Sequence, residues 1–327
     1  MENNIKVAIA GVGCCASSLI QFVYMAKDDS SMDKLSGVIY DKIGKYRIDA
    51  VNFVCAFDVN KKKIGLDLKD AIQTDPNIAK EHFKVSETNI KVDAGPLLDG
   101  INGNLSQIIE PHEDCYKNDI NYVTQRLKET KTDVLVCYLP TGASEAVKLY
   151  ATAALNAEVA FINATPEVIS RDQDFISSFR QKFLPLLGDD IKSHLGATTL
   201  HTAIIELMHS RGIKIKNTYQ LNFGGNMDFF NLSSPNRSLS KQTSKRNALF
   251  AAGIDASKVS AGPNGYIEYL GDEKICYLRL EGESILNSNI SIELKLQVED
   301  SPNSAGVIVN ALRIAKVAKD NKIGLLC

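Results

Sequence analysis

Residues 5 to 28 read IKVAIAGVGCCASSLIQFVYMAKD. The first six, IKVAIA, are a short apolar run that suits a strand buried on both faces. Gly11, Val12, Gly13, Cys14, Cys15 and Ala16 follow at once, in the pattern G-x-G-x-x-A. The run ASSLIQFVYMAKD, residues 16 to 28, is compatible with a helix. A strand, a glycine pair and a helix in this order make the first turn of a dinucleotide-binding βαβ unit. Gly11 permits the tight turn, Gly13 lets the backbone approach a pyrophosphate, and Ala16 lets helix and strand pack closely. Amides at the helix start then face the phosphates. A glycine-rich turn with no ligand is the plainer alternative, and the strand–turn–helix context argues against it.

Working outward, VNFVCAF (51 to 57) reads as a second buried strand. It is ended by Asp58, placed to accept a ribose 2′-hydroxyl, which favours NAD over NADP. The usual spacing is about 20 residues; a polar excursion over residues 29 to 50 stretches it here. Residues 59 to 132 are mixed, with their best helix at 119 to 130. From Asp133 the alternation is clear: strand 133 to 139, helix 143 to 157, strand 159 to 163, a helix around 173 to 182, strand 183 to 188. That alternation implies an α/β fold with a doubly wound parallel sheet.

The character changes after residue 200. HTAIIELMHSRG (201 to 212) is a helix, and NTYQLNF (217 to 223), GYIEYL (265 to 270), KICYLRLEG (274 to 282) and NISIELKLQVED (289 to 300) read as strands. The last two alternate apolar and polar residues, as antiparallel strands with one wet face do. Residues 301 to 320 open on Ser301 and Pro302 and read as a buried helix returning to the first domain. The expected division is an NAD-binding Rossmann domain over 1 to 200, an inserted α/β domain over 201 to 300, and the returning helix over 301 to 327.

The 327 residues carry 37 Lys+Arg and 39 Asp+Glu, a near balance that argues against a general nucleic-acid binder. The seven cysteines form no CxxC pair and mostly sit in apolar runs, which suits free thiols in a reducing cytoplasm. Residues 7 to 26 are uncharged and superficially resemble a signal segment. Gly11, Gly13, Ser17, Ser18 and Gln21 interrupt them, so no membrane partner is expected.

Other stretches invite function and also have plain readings. Asp189, Asp190, Lys192 and Ser193 follow a strand end, where open α/β sheets bind ligands; a surface cap and ion pair is equally compatible. Gly224, Gly225, Asn226, Met227 and Asp228 read as a turn. Gly271, Asp272, Glu273 and Lys274 read as a hairpin turn with a solvated lysine. The spacing of His194, His201 and His209 does not suit a zinc site. In NRSLSKQTSKR (236 to 246), Arg237, Lys241 and Lys245 would share one helical face with no acid to relieve them.

The runs IAGVGCCASSL, FVCAFDVNKKKIGLDLKDAI, GPLLDGI, GDDIKSHLGAT, LNFGGNMDFFNL, SKQTSK and EDSPNSAGVIV, in this order, resemble the myo-inositol-1-phosphate synthase family in its shorter prokaryotic branch. The resemblance spans residue 5 to about residue 323, and GDDIKS, GGNMDF, SKxxSK and EDSPNSAG are each specific. It implies a cytoplasmic, homotetrameric, NAD-dependent inositol-3-phosphate synthase acting on D-glucose 6-phosphate. The implied chemistry is oxidation at C5, enolisation, aldol closure of C6 onto C1, and reduction at C5, with no net redox change. Cations in a water-poor pocket suit the oxyanions that develop.

By resemblance, Lys241 and Lys245 match paired active-site lysines, Lys274 a third, and Asp272 is its neighbour. Lys241 is implied in proton transfer at the C5 oxygen and Lys274 at the carbonyl and enolate oxygens. Lys245 is implied at the phosphate or the C1 oxygen. Asp190, Lys192, Ser193, Asn226, Asp228 and Asp300 match residues lining nicotinamide and sugar, and Leu139, Pro140 and Thr141 match a loop beside the NAD site. The metal, a monovalent or a divalent cation if any, stays open. Two departures stand out. Cys14 occupies a position where the family commonly has Asn, and the sequence ends at GLLC, short of a segment that carries a further lysine in the family. Either the sequence is truncated, another cation substitutes, or this is a related chain with altered substrate or lost activity, which is the alternative.

Overall fold

The structure is a computed structural model, and it describes residues 3–28, 35–190, 192–234, 237 and 259–324, the last stretch by backbone alone up to 263. The opening strand β1 (Ile5–Ala10) runs into helix α1 (Cys14–Asp28) through the glycine turn. Residues 7 to 26 are thus interior strand and helix, and among the described residues no helix is long and apolar enough to cross a membrane. Strand β2 (Val51–Asp58) ends on the expected aspartate. A short helix α2 (Leu68–Ala71), strand β3 (Val92–Ala94), helix α3 (Ile120–Glu129), strand β4 (Val134–Cys137), helix α4 (Ser144–Asn156), strand β5 (Ala160–Asn163), helix α5 (Gln173–Gln181) and strand β6 (Leu186–Leu187) complete the first half.

These strands form one parallel sheet in the order β3-β2-β1-β4-β5-β6, the doubly wound dinucleotide-binding order. Side chains alternate across β1. Val7 and Ile9 face one core with Leu19, Ile20 and Val23 of α1, while Ala8 and Ala10 face the other with Val123, Val147 and Ala151. Both faces are buried, which is why IKVAIA is a near-continuous apolar run.

Helix α6 (Ala197–Ser210) leads into a four-stranded sheet of order β10-β9-β7-β8, comprising β7 (Lys214–Gly224), β8 (Val259–Tyr266), β9 (Glu273–Glu283) and β10 (Asn289–Glu299). The pairs β7–β9 and β9–β10 are antiparallel, as the alternation implied, and β7–β8 is parallel. The strand expected over 265 to 270 is misplaced: only residues 265 and 266 belong to a strand. Strand β8 ends at Tyr266, and Glu268–Leu270 is a turn of 3-10 helix. Helix α7 (Met227–Leu232) follows β7, and helix α8 (Asp300–Asp320) follows β10. Helix α8 returns to the first sheet, where Ile308, Val309, Leu312 and Ala315 join the α1 core. Arg313, inside that apolar helix, is fully buried and donates to the carbonyls of Tyr40 and Asp41.

Candidate functional site

At the topological switch between β1 and β4 the two sheets enclose a cavity of about 280 Å³. Its floor is the glycine turn. Gly11 has φ +92°, and a Cβ there would meet the Tyr138 carbonyl oxygen at 2.8 Å, so sterics alone require glycine. Gly13 is different: a Cβ there would have no protein atom within 4 Å and would project into open space. Protein packing does not demand that glycine, and it lines the cavity with its Cβ side left open. Helix α1 has no acid in its first turn, so its positive end is open to an anion. Helix α4 offers a contrast. Its start is closed by carboxylates: Asp99 accepts from the N–H groups of Glu145 and Ala146, and Glu167 accepts from the Gly142 N–H and the Ser144 hydroxyl.

Both polar backbone atoms of Val12 are held. Its N–H donates to Asp58 Oδ2 at 2.9 Å. Its carbonyl accepts from Lys63 Nζ at 2.6 Å and Asn77 Nδ2 at 3.2 Å. Asp58 Oδ1 is fixed by the N–H groups of Val59 and Asn60, at 2.8 and 2.9 Å. The aspartate is therefore oriented at the cavity rim, with one well-anchored oxygen and one beside the turn. Cys14 and Cys15 line the cavity as thiols; burial pushes both up, Cys15 to about 12.

The opposite wall belongs to α7, β9 and α8. Asn226 caps α7 by accepting from the N–H groups of Asp228 and Phe229, at 3.1 and 3.2 Å. Its Nδ2 donates to Asp300 Oδ2 at 3.2 Å and reaches Asp272 Oδ1 at 3.5 Å. Ser301 donates to Asp272 through its hydroxyl at 2.6 Å and its N–H at 3.2 Å. Burial, and then the charge of Asp300, push the Asp272 carboxyl up to about 6 against those hydrogen bonds. Lys274 Nζ donates to Asp300 Oδ1 at 3.0 Å and lies 5.7 Å from the Phe229 ring centre. Gly225 has to be glycine: a Cβ would meet the Gly271 nitrogen at 2.5 Å. The Thr141 hydroxyl donates to Asp228 Oδ1 at 3.1 Å, tying the turn after β4 to α7.

The chain as a whole is similar to known proteins. A sequence model described as myo-inositol-1-phosphate synthase matches residues 196–301. Inositol-3-phosphate synthase of Mycolicibacterium smegmatis is 43% identical over 98% of this chain and 89% of its own length. The inositol-3-phosphate synthase of Mycobacterium tuberculosis strain H37Rv is 44% identical over 99% of this chain and 88% of its own. The crystal structure of Ari2 superposes with a TM-score of 0.81 at 35% identity, covering 98% of this chain and 89% of that one.

The chain belongs to the myo-inositol-1-phosphate synthase family, a family of enzymes.

Against that family assignment, the cavity brings together Gly11, Val12, Gly13, Cys14, Cys15, Asp58, Leu139, Pro140 and Thr141 on the turn side. Asp190, Ser193, Asn226, Asp228, Lys274 and Asp300 line the other side. Ala16 is fully buried behind the turn, and Asp272 is buried behind Asn226 and Ser301. Lys192 is exposed and does not line the cavity. Lys241 and Lys245 lie outside the described residues, as does Arg246. Arg237 is described and does not line the cavity. It is buried and donates to the carbonyls of Asn102, Thr141 and Asp99.

Three plain readings of the sequence are overturned. Lys274 is a strand residue with a side chain only 20% exposed, paired to Asp300, because β9 carries it under α7. Asp189 is not a surface cap; its side chain is fully buried and accepts from the N–H groups of Ile169 and Ser170. The sequence FGGNMD is more than a turn, since Asn226 starts a helix. His201 is held inside by Thr218 and Gln220, its pKa lowered by burial to about 4, and no group of three metal-binding side chains occurs among the described residues. Lys63 and Asn77 escaped the sequence reading, because nothing local distinguishes Lys63 from Lys61 and Lys62.

Proposed function

We propose that this chain converts D-glucose 6-phosphate to 1D-myo-inositol 3-phosphate with NAD held at the glycine turn. The observation that carries the reading is the pairing across one cavity of Gly13, open on its cavity side, with the Lys274–Asp300 ion pair. The residues fit the cofactor: α1 presents its amide end, Asp58 stands where a ribose hydroxyl would donate, and Gly13 leaves the space a pyrophosphate needs. NAD would supply a hydride acceptor at C5 of the open-chain sugar and return the hydride after ring closure.

The protein's part is charge and orientation. Lys274, fixed by Asp300, is placed to stabilise negative charge on the carbonyl and enolate oxygens. Asn226 holds Asp300 and Asp272 in register, so the lysine meets the substrate at a set angle. Asp190, Ser193 and Asp228 line the same cavity and are assigned to the nicotinamide and sugar on family resemblance. Lys241 is assigned proton transfer at the C5 oxygen and Lys245 the phosphate or C1 oxygen, on family resemblance. The same reading assigns cofactor binding to residues 1 to 200, catalysis and homotetramer formation to 201 to 300, and a bracing role to the returning helix.

Incubating the purified chain with glucose 6-phosphate and NAD⁺ tests this. Acid-stable, periodate-sensitive phosphate should form without accumulating NADH. No product from protein shown to have bound NAD⁺ would refute it.

A further inference from the structure

Lys63 is the one cavity-lining cation whose charge the described residues leave uncompensated. Its residue is 3% exposed, and it lines the cavity beside Gly13 and Cys14. Its Nζ donates to the Val12 carbonyl at 2.6 Å and to Asn77 Oδ1 at 2.9 Å. Both acceptors are neutral, and an ammonium has three protons. Among the described residues Lys63 makes no ion pair with a carboxylate, whereas Lys274 on the opposite wall is paired with Asp300. The nearby Asp58 is spent on Val12, Val59 and Asn60 backbone N–H groups. A buried charge without a counter-charge is costly, and a neutral side chain would serve the Val12 carbonyl at lower cost.

We propose that Lys63 is a cofactor-binding residue: its ammonium supplies the positive charge that compensates the pyrophosphate of the dinucleotide at the glycine turn. This rests on the NAD reading and adds to it. Backbone amides of a turn give hydrogen bonds and a partial charge, but no full unit of charge. Lys63 places a full charge against the turn, anchored through the carbonyl of Val12. The pyrophosphate is favoured over a 2′-phosphate because the Asp58 carboxylate lines the same cavity and would repel an anion placed against it.

The test compares wild type, K63M and K63Q for binding of NAD⁺, ADP-ribose, NADP⁺ and adenosine by calorimetry, each at low and high salt. Both variants should lose about ten- to a hundredfold in affinity for NAD⁺ and ADP-ribose, the scale of a charge-assisted hydrogen bond. Adenosine binding should hold within about twofold, and the salt dependence for ADP-ribose should flatten. K63Q retains a donor for the Val12 carbonyl, so it carries the same expectation should K63M fail to fold. Equal losses for adenosine and ADP-ribose would reduce Lys63 to a brace for the turn and overturn the proposal. So would unchanged NAD⁺ affinity, or a loss confined to NADP⁺. Wild type that binds adenosine but neither NAD⁺ nor ADP-ribose would undo the NAD reading itself.

Discussion

At the scale of single residues, Gly11 and Gly13 look alike in sequence and do different work. Gly11 is demanded by the chain, through its positive φ and the Tyr138 carbonyl; Gly13 meets no such contact, and the proposed NAD reading assigns its open side to the cofactor. Gly13→Val should therefore cost only about 1 kcal/mol of stability yet lower NAD⁺ affinity at least about tenfold. A melting curve and a binding isotherm read the two effects separately, and intact NAD⁺ binding would contradict the assignment. Asp272 gives a pH signature. Its folded-state pKa, about 6, lies above the ordinary carboxylate value, so the native chain keeps a proton that the unfolded chain loses between about pH 4 and 6. The stability this contributes is full below about pH 4 and is lost as pH rises through 6. The melting temperature of Asp272→Asn minus that of wild type should thus grow between about pH 4.5 and 7. A constant offset would mean that Asp272 titrates normally.

Sequence resolved the glycine turn because its chemistry is local: strand, turn and helix lie within residues 5 to 28. Lys63 was not legible for the converse reason. Lys61, Lys62 and Lys63 are identical in type, and only the fold exposes the first two and buries the third against Val12. Asp272 and Lys274 read as a turn because their partners, Ser301 and Asp300, arrive from a helix 26 or more residues later.

At the scale of elements, the cationic stretch from residue 236 begins with a clamp. Arg237 ties the carbonyls of Asn102 and Asp99 to that of Thr141, and Asn231 donates to the same Thr141 oxygen at 2.8 Å. Gly142 makes the room: at φ +87° its Cβ would stand 2.5 Å from Arg237 Cδ. Arg237→Met removes a donor from three carbonyls, of which Thr141 keeps Asn231 and Asp99 keeps the Asn102 N–H, and should cost about 1 kcal/mol or more. Gly142→Ala should cost a similar amount through φ and clash together. Combined with Arg237→Ala, which removes the stem as well, Gly142→Ala should be less than additive in denaturant unfolding, since the alanine methyl then meets no side chain there. Strict additivity would separate the two residues. Element boundaries were legible wherever periodicity ran long, as in β9 and β10. The 265 to 270 segment misled because its aromatic and aliphatic residues continue past the last residue of β8.

For the whole molecule, two sheets that are separate in sequence meet at one cavity, braced by α8. That helix leaves β10 at Asp300, a site residue, and ends in the α1 core. Leu312→Ala, at a fully buried position of that core, should cost about 2–5 kcal/mol. NAD⁺ at a hundred times its dissociation constant should restore about 2.7 kcal/mol if it binds the folded chain alone. The parallel order of the first sheet was legible from alternating strands and helices; the placing of Lys274 across the cavity from the glycine turn was legible only by family resemblance, because it depends on how the second sheet folds back over the first.

The most direct measurement is a single turnover of glucose 6-phosphate deuterated at C5 by NAD-loaded enzyme. Bound cofactor should be transiently reduced, more slowly than with unlabelled sugar, and the inositol phosphate should carry the deuterium at the same carbon with none in free NADH. Product formed without transient reduction of the bound cofactor, or deuterium lost to solvent, would contradict hydride transfer out of and back to C5.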